Sequence, residues 1–252
     1  MADGVRGKVY GRRRFLKQLG QGTAAAAALA YPHPRSPHAA TAKNPQVRYA
    51  MVIDTRRCVG CHACSVACKA EFDVPLGFYR SWVEYVEKGT FPDVRRSFLP
   101  RLCNQCSNPP CVDVCPTGAT WQREEDGIVE IDPDICIGCK YCILACPYDA
   151  RFANPVTGTA EKCDFCLHRV RNGLEPACVE TCIGRARIFG DLNDPNSEVG
   201  RLLATTAVTV LRQEMGTKPN VYYIAADHTG EGDARAGQYV RVTTHRRQKD
   251  RR

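Results

Sequence analysis

Apolar and polar positions along the chain predict short elements separated by long stretches without periodicity. Arg48 to Asp54 (R-Y-A-M-V-I-D) is an apolar run rich in β-formers and predicts a strand. Ala63 to Glu71 predicts a short helix. Residues 72–102 contain Pro75, Gly77, Gly89, Pro92 and Pro100 and read as an insertion. Within it Tyr79 to Glu87 partly alternates and predicts a strand, with Trp82 and Tyr85 as packing residues. Asp126-Gly127 is a turn signal ahead of Ile128 to Asp132 (I-V-E-I-D), which predicts one arm of a hairpin. Arg187 to Phe189 predicts a strand. Asp194-Pro195-Asn196-Ser197 then supplies an N-cap region for a helix over Glu198 to Thr205. Val208 to Leu211 and Val221 to Ile224 are short β-type runs. Asp227 to Arg252 is polar and basic at its end, and reads as a mobile tail or a strap over a partner.

Residues 1–42 follow a different logic. Arg12-Arg13-x-Phe15-Leu16-Lys17 resembles the twin-arginine export signal, with Gly11 where Ser or Thr is usual. An alanine-rich stretch from Thr23 to Ala30 follows, then Pro32, Pro34 and Pro37, then the small-residue tripeptide Ala40-Thr41-Ala42. Basic, apolar and small-residue regions in that order describe a targeting peptide, set apart from fold reasoning. The competing reading is a basic patch beside an alanine-rich helix. Export places the rest of the chain in the periplasm or on the outer face of the cytoplasmic membrane. Between residues 43 and 252 every apolar run falls far short of the roughly 20 residues that cross a bilayer. If the protein works at a membrane, a partner holds it there.

The formal net charge of +8 suggests nucleic acid or an acidic membrane. Seven basic residues and one acid precede Lys43, so the remainder has 28 basic against 26 acidic residues, a net of +2. Thiolates that bind metal change the count further. Four oxidised [4Fe–4S] cores with sixteen thiolates would bring the exported chain to roughly −6. That arithmetic disfavours a nucleic-acid partner.

The chemistry lies in sixteen cysteines, which fall in four groups of four. They are Cys58, Cys61, Cys64 and Cys68; Cys103, Cys106, Cys111 and Cys115; Cys136, Cys139, Cys142 and Cys146; Cys163, Cys166, Cys178 and Cys182. The third group is C-x2-C-x2-C-x3-C-P, the bacterial ferredoxin spacing for [4Fe–4S] clusters. A cube needs four thiolates around one centre. Three come from a tight loop and the fourth must come from elsewhere. Sixteen thiolates match four cubes with none left over.

Residues 103–150 resemble a complete two-cluster bacterial ferredoxin: a cysteine group, a hairpin and a second group, with Pro116 and Pro147 trailing. In such units the fourth cysteine of each run ligates the other cluster. Pro109-Pro110 lengthens one loop without removing a ligand. The outer groups lack the trailing proline, and eleven residues separate Cys166 from Cys178. Their placement suggests a second, split unit of the same kind, an internal duplication visible in the cysteines.

Zinc ribbons also use paired C-x2-C motifs, but four groups with x3 before each fourth cysteine fit them poorly. Disulfides suit an exported chain, yet C-x2-C-x2-C is too dense for a bridged framework. Structural clusters without a redox role remain open for one or two sites. His62 reads as a solvent-facing loop residue. Lys162, beside Cys163, reads equally as a cluster neighbour or a surface lysine, and His168 flanks Cys166. Glu124, Glu125 and Asp126 read as a hairpin turn. The pattern holds no catalytic triad, phosphate loop or carboxylate pair.

The stretches C-V-G-C-H-A-C-S-V-A-C-K-A-E, L-P-R-L-C-N-Q-C-S-N-P-P-C-V-D-V-C-P-T-G-A-T, C-I-G-C-K-Y-C-I-L-A-C-P-Y, E-K-C-D-F-C, P-A-C-V-E-T-C and G-T-K-P-N-V-Y-Y-I carry a resemblance. Over residues 48–224 the chain resembles the four-cluster iron–sulfur subunits of molybdopterin oxidoreductases, nearest the tetrathionate, polysulfide and thiosulfate types. The resemblance implies an α+β fold of two bacterial-ferredoxin-like units, one inserted in the other. The four-cluster domain would span 43–200, with the central unit 103–150 nested in an outer unit of 48–71 plus 160–190. A C-terminal extension would occupy 201–252.

The family's ligand pattern implies four sets. Cys58, Cys61 and Cys64 would join Cys182, and Cys163, Cys166 and Cys178 would join Cys68. Cys103, Cys106 and Cys111 would join Cys146, and Cys136, Cys139 and Cys142 would join Cys115. The resemblance implies a non-catalytic wire of four [4Fe–4S] clusters between a molybdenum or tungsten molybdopterin subunit and a polytopic membrane subunit that exchanges electrons with quinone. The alternative is a free-standing soluble ferredoxin.

Overall fold

The computed structural model describes residues 47–226 and the backbone of 239–243. β1 (Tyr49–Asp54) lies between β8 (Arg187–Asp191), antiparallel to it, and β9 (Val221–Ile224), parallel. Both faces of β1 are covered, so Ala50, Met51, Val52 and Ile53 are fully buried. A strand buried on both sides reads as a continuous apolar run, which is why its sequence does not alternate. Met51 and Ile53 join the main core with Leu102, Ile128, Phe165 and Tyr223. Ala50 and Val52 join a smaller one with Ile188, Val199 and Ile224. The expected helix over Glu198–Thr205, here α6, packs its Val199 into that second core. Ser197 starts it, its hydroxyl accepting from the Gly200 amide at 2.9 Å.

Residues 72–102 differ from expectation. The predicted strand extends as β2 (Ser81–Thr90), and an unpredicted β3 (Asp93–Leu102) pairs with it along its whole length. Arg95, Arg96 and Ser97 break the apolar alternation of β3, and Pro100 sits inside it. Both are tolerated because β3 is an edge strand, where charge and proline discourage further pairing. Gly89 closes the arm at φ +94°, where an added Cβ would lie 2.0 Å from the Asp93 carbonyl oxygen. The backbone of β10 (Tyr239–Thr243) pairs with the other edge of β2, so part of the expected tail is a strand. The rest of that tail and the export signal at 1–42 lie outside the described residues.

The expected hairpin forms from β4 (Thr120–Gln122) and β5 (Val129–Ile131). A second, β6 (Arg151–Ala153) with β7 (Ala160–Lys162), is unpredicted, since three-residue strands leave no periodic signal. Val208–Leu211 makes no strand either. Thr209 alone bridges to Tyr223, with amides donating both ways at 2.9 and 2.8 Å.

Five short helices serve the cysteines: α1 (Ala63–Phe72), α2 (Pro110–Asp113), α3 (Tyr141–Leu144), α4 (Leu167–Val170) and α5 (Ala177–Glu180). Pro110 and Pro176 set two of their starts, Pro110 as first residue and Pro176 just before α5. α1 packs against α5, and α2 against α3. Among the described residues no helix is long and apolar enough to cross a membrane.

Candidate cluster-binding sites

Each cysteine run opens on a loop that enters the left-handed backbone region. Gly60 and His62 do so in the first run, Gln105 in the second, Gly138 and Lys140 in the third, Phe165 and Cys166 in the fourth. These turns let thiols three residues apart converge while amides face the same side. At Gly60 an added Cβ would meet the Phe98 ring at 2.4 Å. The Phe165 amide donates to Cys163 Sγ at 3.4 Å. After two closing cysteines the chain turns back and a later amide donates to the sulfur: Thr120 to Cys115 at 3.4 Å and Ala186 to Cys182 at 3.2 Å.

Cysteines from distant runs come together. Cys58, Cys61, Cys64 and Cys182 line one cavity beside Pro100 and Gly184, and Cys58 feels the fields of Cys64 and Cys182. Cys163 feels Cys68, Cys178 and Cys166, and Cys68 feels Cys178 and Cys166 in turn. Cys106 feels Cys103, Cys111 and Cys146. Of the last group, Cys136 and Cys142 share a small core with Cys111 and Val129. Cys115 ends the turn after α2, which packs on the α3 that carries Cys142, while Cys139 is exposed.

Burial pushes the Cys106 and Cys166 thiols up to about 12 and the Cys111 thiol up to about 11, with neighbouring cysteines adding to the effect for each. Cys163 and Cys178 are raised by burial as well. At Cys115 burial also acts upward, but donors from Thr120 and Thr117 outweigh it and the thiol is lowered. Buried thiols are therefore neutral until a cation takes their protons' place.

Three observations fit a sulfide-bridged iron core. All sixteen cysteines are described and none forms a disulfide. Among the described residues no three His, Cys, Asp or Glu side chains converge tightly enough for a single ion, as a zinc site requires. The buried Ser65 hydroxyl and Asn104 amide, beside Cys64 and Cys103, have no hydrogen-bond partner in the protein. A buried donor needs an acceptor, and sulfide or thiolate sulfur would accept from the Ser65 hydroxyl and the Asn104 Nδ2, while the Asn104 Oδ1 requires a donor instead.

Several side chains at these sites carry no sequence signal. Gln105 is buried between runs, its Nε2 donating to the Cys163 carbonyl and its Oε1 accepting from the Val129 amide, both at 2.8 Å. Arg151 Nη2 donates to Cys111 Sγ at 2.9 Å, and Arg187 Nη1 to Cys178 Sγ at 3.6 Å. Lys162 is buried, so the surface reading fails; its Nζ donates to the Val129 and Cys163 carbonyls. His62 is a half-buried loop residue, its Nε2 2.6 Å from the Tyr85 hydroxyl. His168 stays half-exposed and pairs with Glu71 at 2.7 Å. Asp126 is buried against Arg123, whose Nε lies 2.9 Å from its carboxylate, whereas Glu124 and Glu125 are exposed turn residues.

A family profile described as a 4Fe-4S dicluster domain matches residues 94–192. The B subunit of tetrathionate reductase from Salmonella typhimurium is 49% identical over 222 residues, covering 86% of this chain and 88% of the relative. The B subunit of selenate reductase from Mesobacillus selenatarsenatis is 46% identical over 213 residues, covering 71% and 72%. The B subunit of tetrathionate reductase from Archaeoglobus fulgidus is 48% identical over 179 residues, covering 71% and 82%.

Proposed function

The chain belongs to the iron–sulfur family of the tetrathionate and selenate reductase B subunits, and on that basis we propose that it is the electron-transfer subunit of a respiratory reductase complex. It carries [4Fe–4S] clusters and is not the catalytic subunit. The free-standing ferredoxin alternative is not favoured, because the relatives are named as reductase subunits.

Beyond that, we read four clusters with crossed ligation: Cys58, Cys61, Cys64 with Cys182; Cys163, Cys166, Cys178 with Cys68; Cys103, Cys106, Cys111 with Cys146; Cys136, Cys139, Cys142 with Cys115. The carrying observation is that Cys58, Cys61 and Cys64 line one cavity with Cys182 from the last run, and that Cys68 and Cys146 lie near enough to act electrostatically on Cys163 and Cys106. The split outer unit is supported by the β1–β8 pairing, which joins Tyr49 to Asp191 across the whole central segment.

When bound, such clusters act as one-electron carriers. The protein's own part is to fix their order, exclude water and donate to their sulfurs. Gln105 spans from the Cys163 loop to the hairpin of the central unit, so the second and third sets are neighbours along the wire. Cys61 and Cys139 are the exposed cysteines, at opposite ends of the set order. Exposed Val59, Val66 and Ile183 lie near the first in sequence or ligand set, and Ile137, Tyr141 and Leu144 near the second. These ends suit docking to two partners: a molybdopterin catalytic subunit and a quinone-reactive membrane subunit. The twin-arginine-like Arg12-Arg13 segment supports export and an outer-face location. Tetrathionate or a related sulfur oxyanion is the terminal substrate this reading favours.

Purification of the native complex tests the function. The expected result is a molybdenum- or tungsten-containing companion and about sixteen irons per copy of this chain, four for each cube. A monodisperse chain that holds its clusters without a companion would refute the subunit assignment.

A further inference from the structure

Arg151 and Arg187 occupy equivalent places. Each lies five residues after the closing cysteine of a run, Cys146 or Cys182, and each is the first residue of a strand, β6 or β8. They are 1% and 2% exposed. Arg151 donates to Cys111 Sγ at 2.9 Å and to the Thr120 hydroxyl at 3.3 Å. Arg187 donates to Cys178 Sγ at 3.6 Å and to the Ser81 hydroxyl at 2.8 Å. A guanidinium stays charged at any pH at which the chain folds, so each site holds a fixed buried cation.

The cysteines around each arginine come from two ligand sets. Arg151 donates to Cys111 of one set, and Thr120, whose hydroxyl it also reaches, donates its amide to Cys115 of the next at 3.4 Å. Arg187 donates to Cys178 of the second set and lines the cavity that Cys58, Cys61, Cys64 and Cys182 of the first share. Reduction adds an electron to an anionic centre and brings two neighbouring centres into repulsion. A cation between them favours the reduced state of both, and more strongly where water is excluded.

We propose that Arg151 and Arg187 are paired counter-charges, each set between the two clusters of one ferredoxin-like unit and raising the reduction potential of both. This rests on the four-set ligand assignment above. It makes the internal repeat more than a repeat of cysteines, since the tuning charge is repeated with them.

The test is an EPR-monitored redox titration of the purified native complex, with iron measured on the same samples. Arg151→Gln removes the charge but keeps a hydrogen-bonding side chain, and Arg151→Lys keeps the charge. With Arg151→Gln, two clusters become about tenfold harder to reduce or more, a fall of about 59 mV for a one-electron couple. The other two keep their potentials, and Arg151→Lys recovers most of the fall. Arg187→Gln lowers the complementary pair, with the same recovery in Arg187→Lys. Full iron with unmoved potentials, or an equal shift of all four clusters, overturns the proposal and leaves the ligand assignment standing. Loss of iron from both Gln variants marks the arginines as merely structural and overturns it too. A parent complex with fewer than four clusters overturns the ligand assignment itself and the proposal with it.

Discussion

Gln105, from the second cysteine run, donates a 2.8 Å hydrogen bond to the main-chain carbonyl of Cys163, in the fourth. Fifty-eight residues separate them in sequence. The same amide accepts from Val129 on β5, so one buried side chain ties the loop of one set to the hairpin beside another. Replacing it by Leu orphans the buried Val129 amide, at about 1–3 kcal/mol, while the Cys163 carbonyl keeps its bond from Lys162 Nζ. Gln105→Leu is expected to lower the denaturant midpoint for cluster bleaching, and Gln105→Glu to lower it less. An unchanged midpoint in the Leu variant would show that the bridge contributes nothing.

The buried thiols make cluster assembly a proton-releasing event. Cys106, Cys111 and Cys166 titrate well above the ordinary thiol value of 9.0, chiefly through burial. Their folded values are raised, so in the cluster-free chain the stability they contribute is full below pH 9.0 and is lost as pH rises through about 11 to about 12. Iron must displace those protons, so reconstitution is expected to improve from about pH 6.5 to 8.5 with net proton release. Cluster yield that is flat with pH, measured by visible absorbance and iron content, would contradict this.

The arm of β2 and β3 is anchored by a buried ion pair. Arg101 Nη1 lies 3.2 Å from Glu84, and Arg101 Nη2 donates to the Tyr148 carbonyl at 3.1 Å, joining the arm to the turn after Cys146. Removing one partner leaves an uncompensated buried charge, which costs about 3–5 kcal/mol. Arg101→Met is expected to destabilise by that order, and Arg101→Met with Glu84→Met together by much less. Thermal melts of the two variants decide it: equal losses would mean that packing, and not charge, holds the arm.

What could be read in advance follows from how local each signal is. The cysteine runs are legible because ligand spacing is a short-range property, and α6 because Ser197 caps it within one turn. β1 is legible as an apolar run because it is buried on both faces. β3 is not, since an edge strand can carry Arg95, Arg96 and Pro100 without cost and so looks like a loop. Hairpin β6–β7 is too short to alternate. Nothing in a sequence distinguishes a buried arginine from a surface one, although the recurrence of Arg five residues after Cys146 and Cys182 is visible once the closing cysteines are aligned. Lys162 and His62 are ambiguous for the same reason: burial is decided by elements far away in the chain.

Crossed ligation is tested most directly by single Cys→Ser variants followed through the EPR signals of the individual clusters. Cys182→Ser and Cys58→Ser should alter one and the same cluster, and Cys146→Ser and Cys103→Ser another. A Cys182→Ser spectrum that matches Cys163→Ser, with the Cys58 cluster untouched, would contradict it.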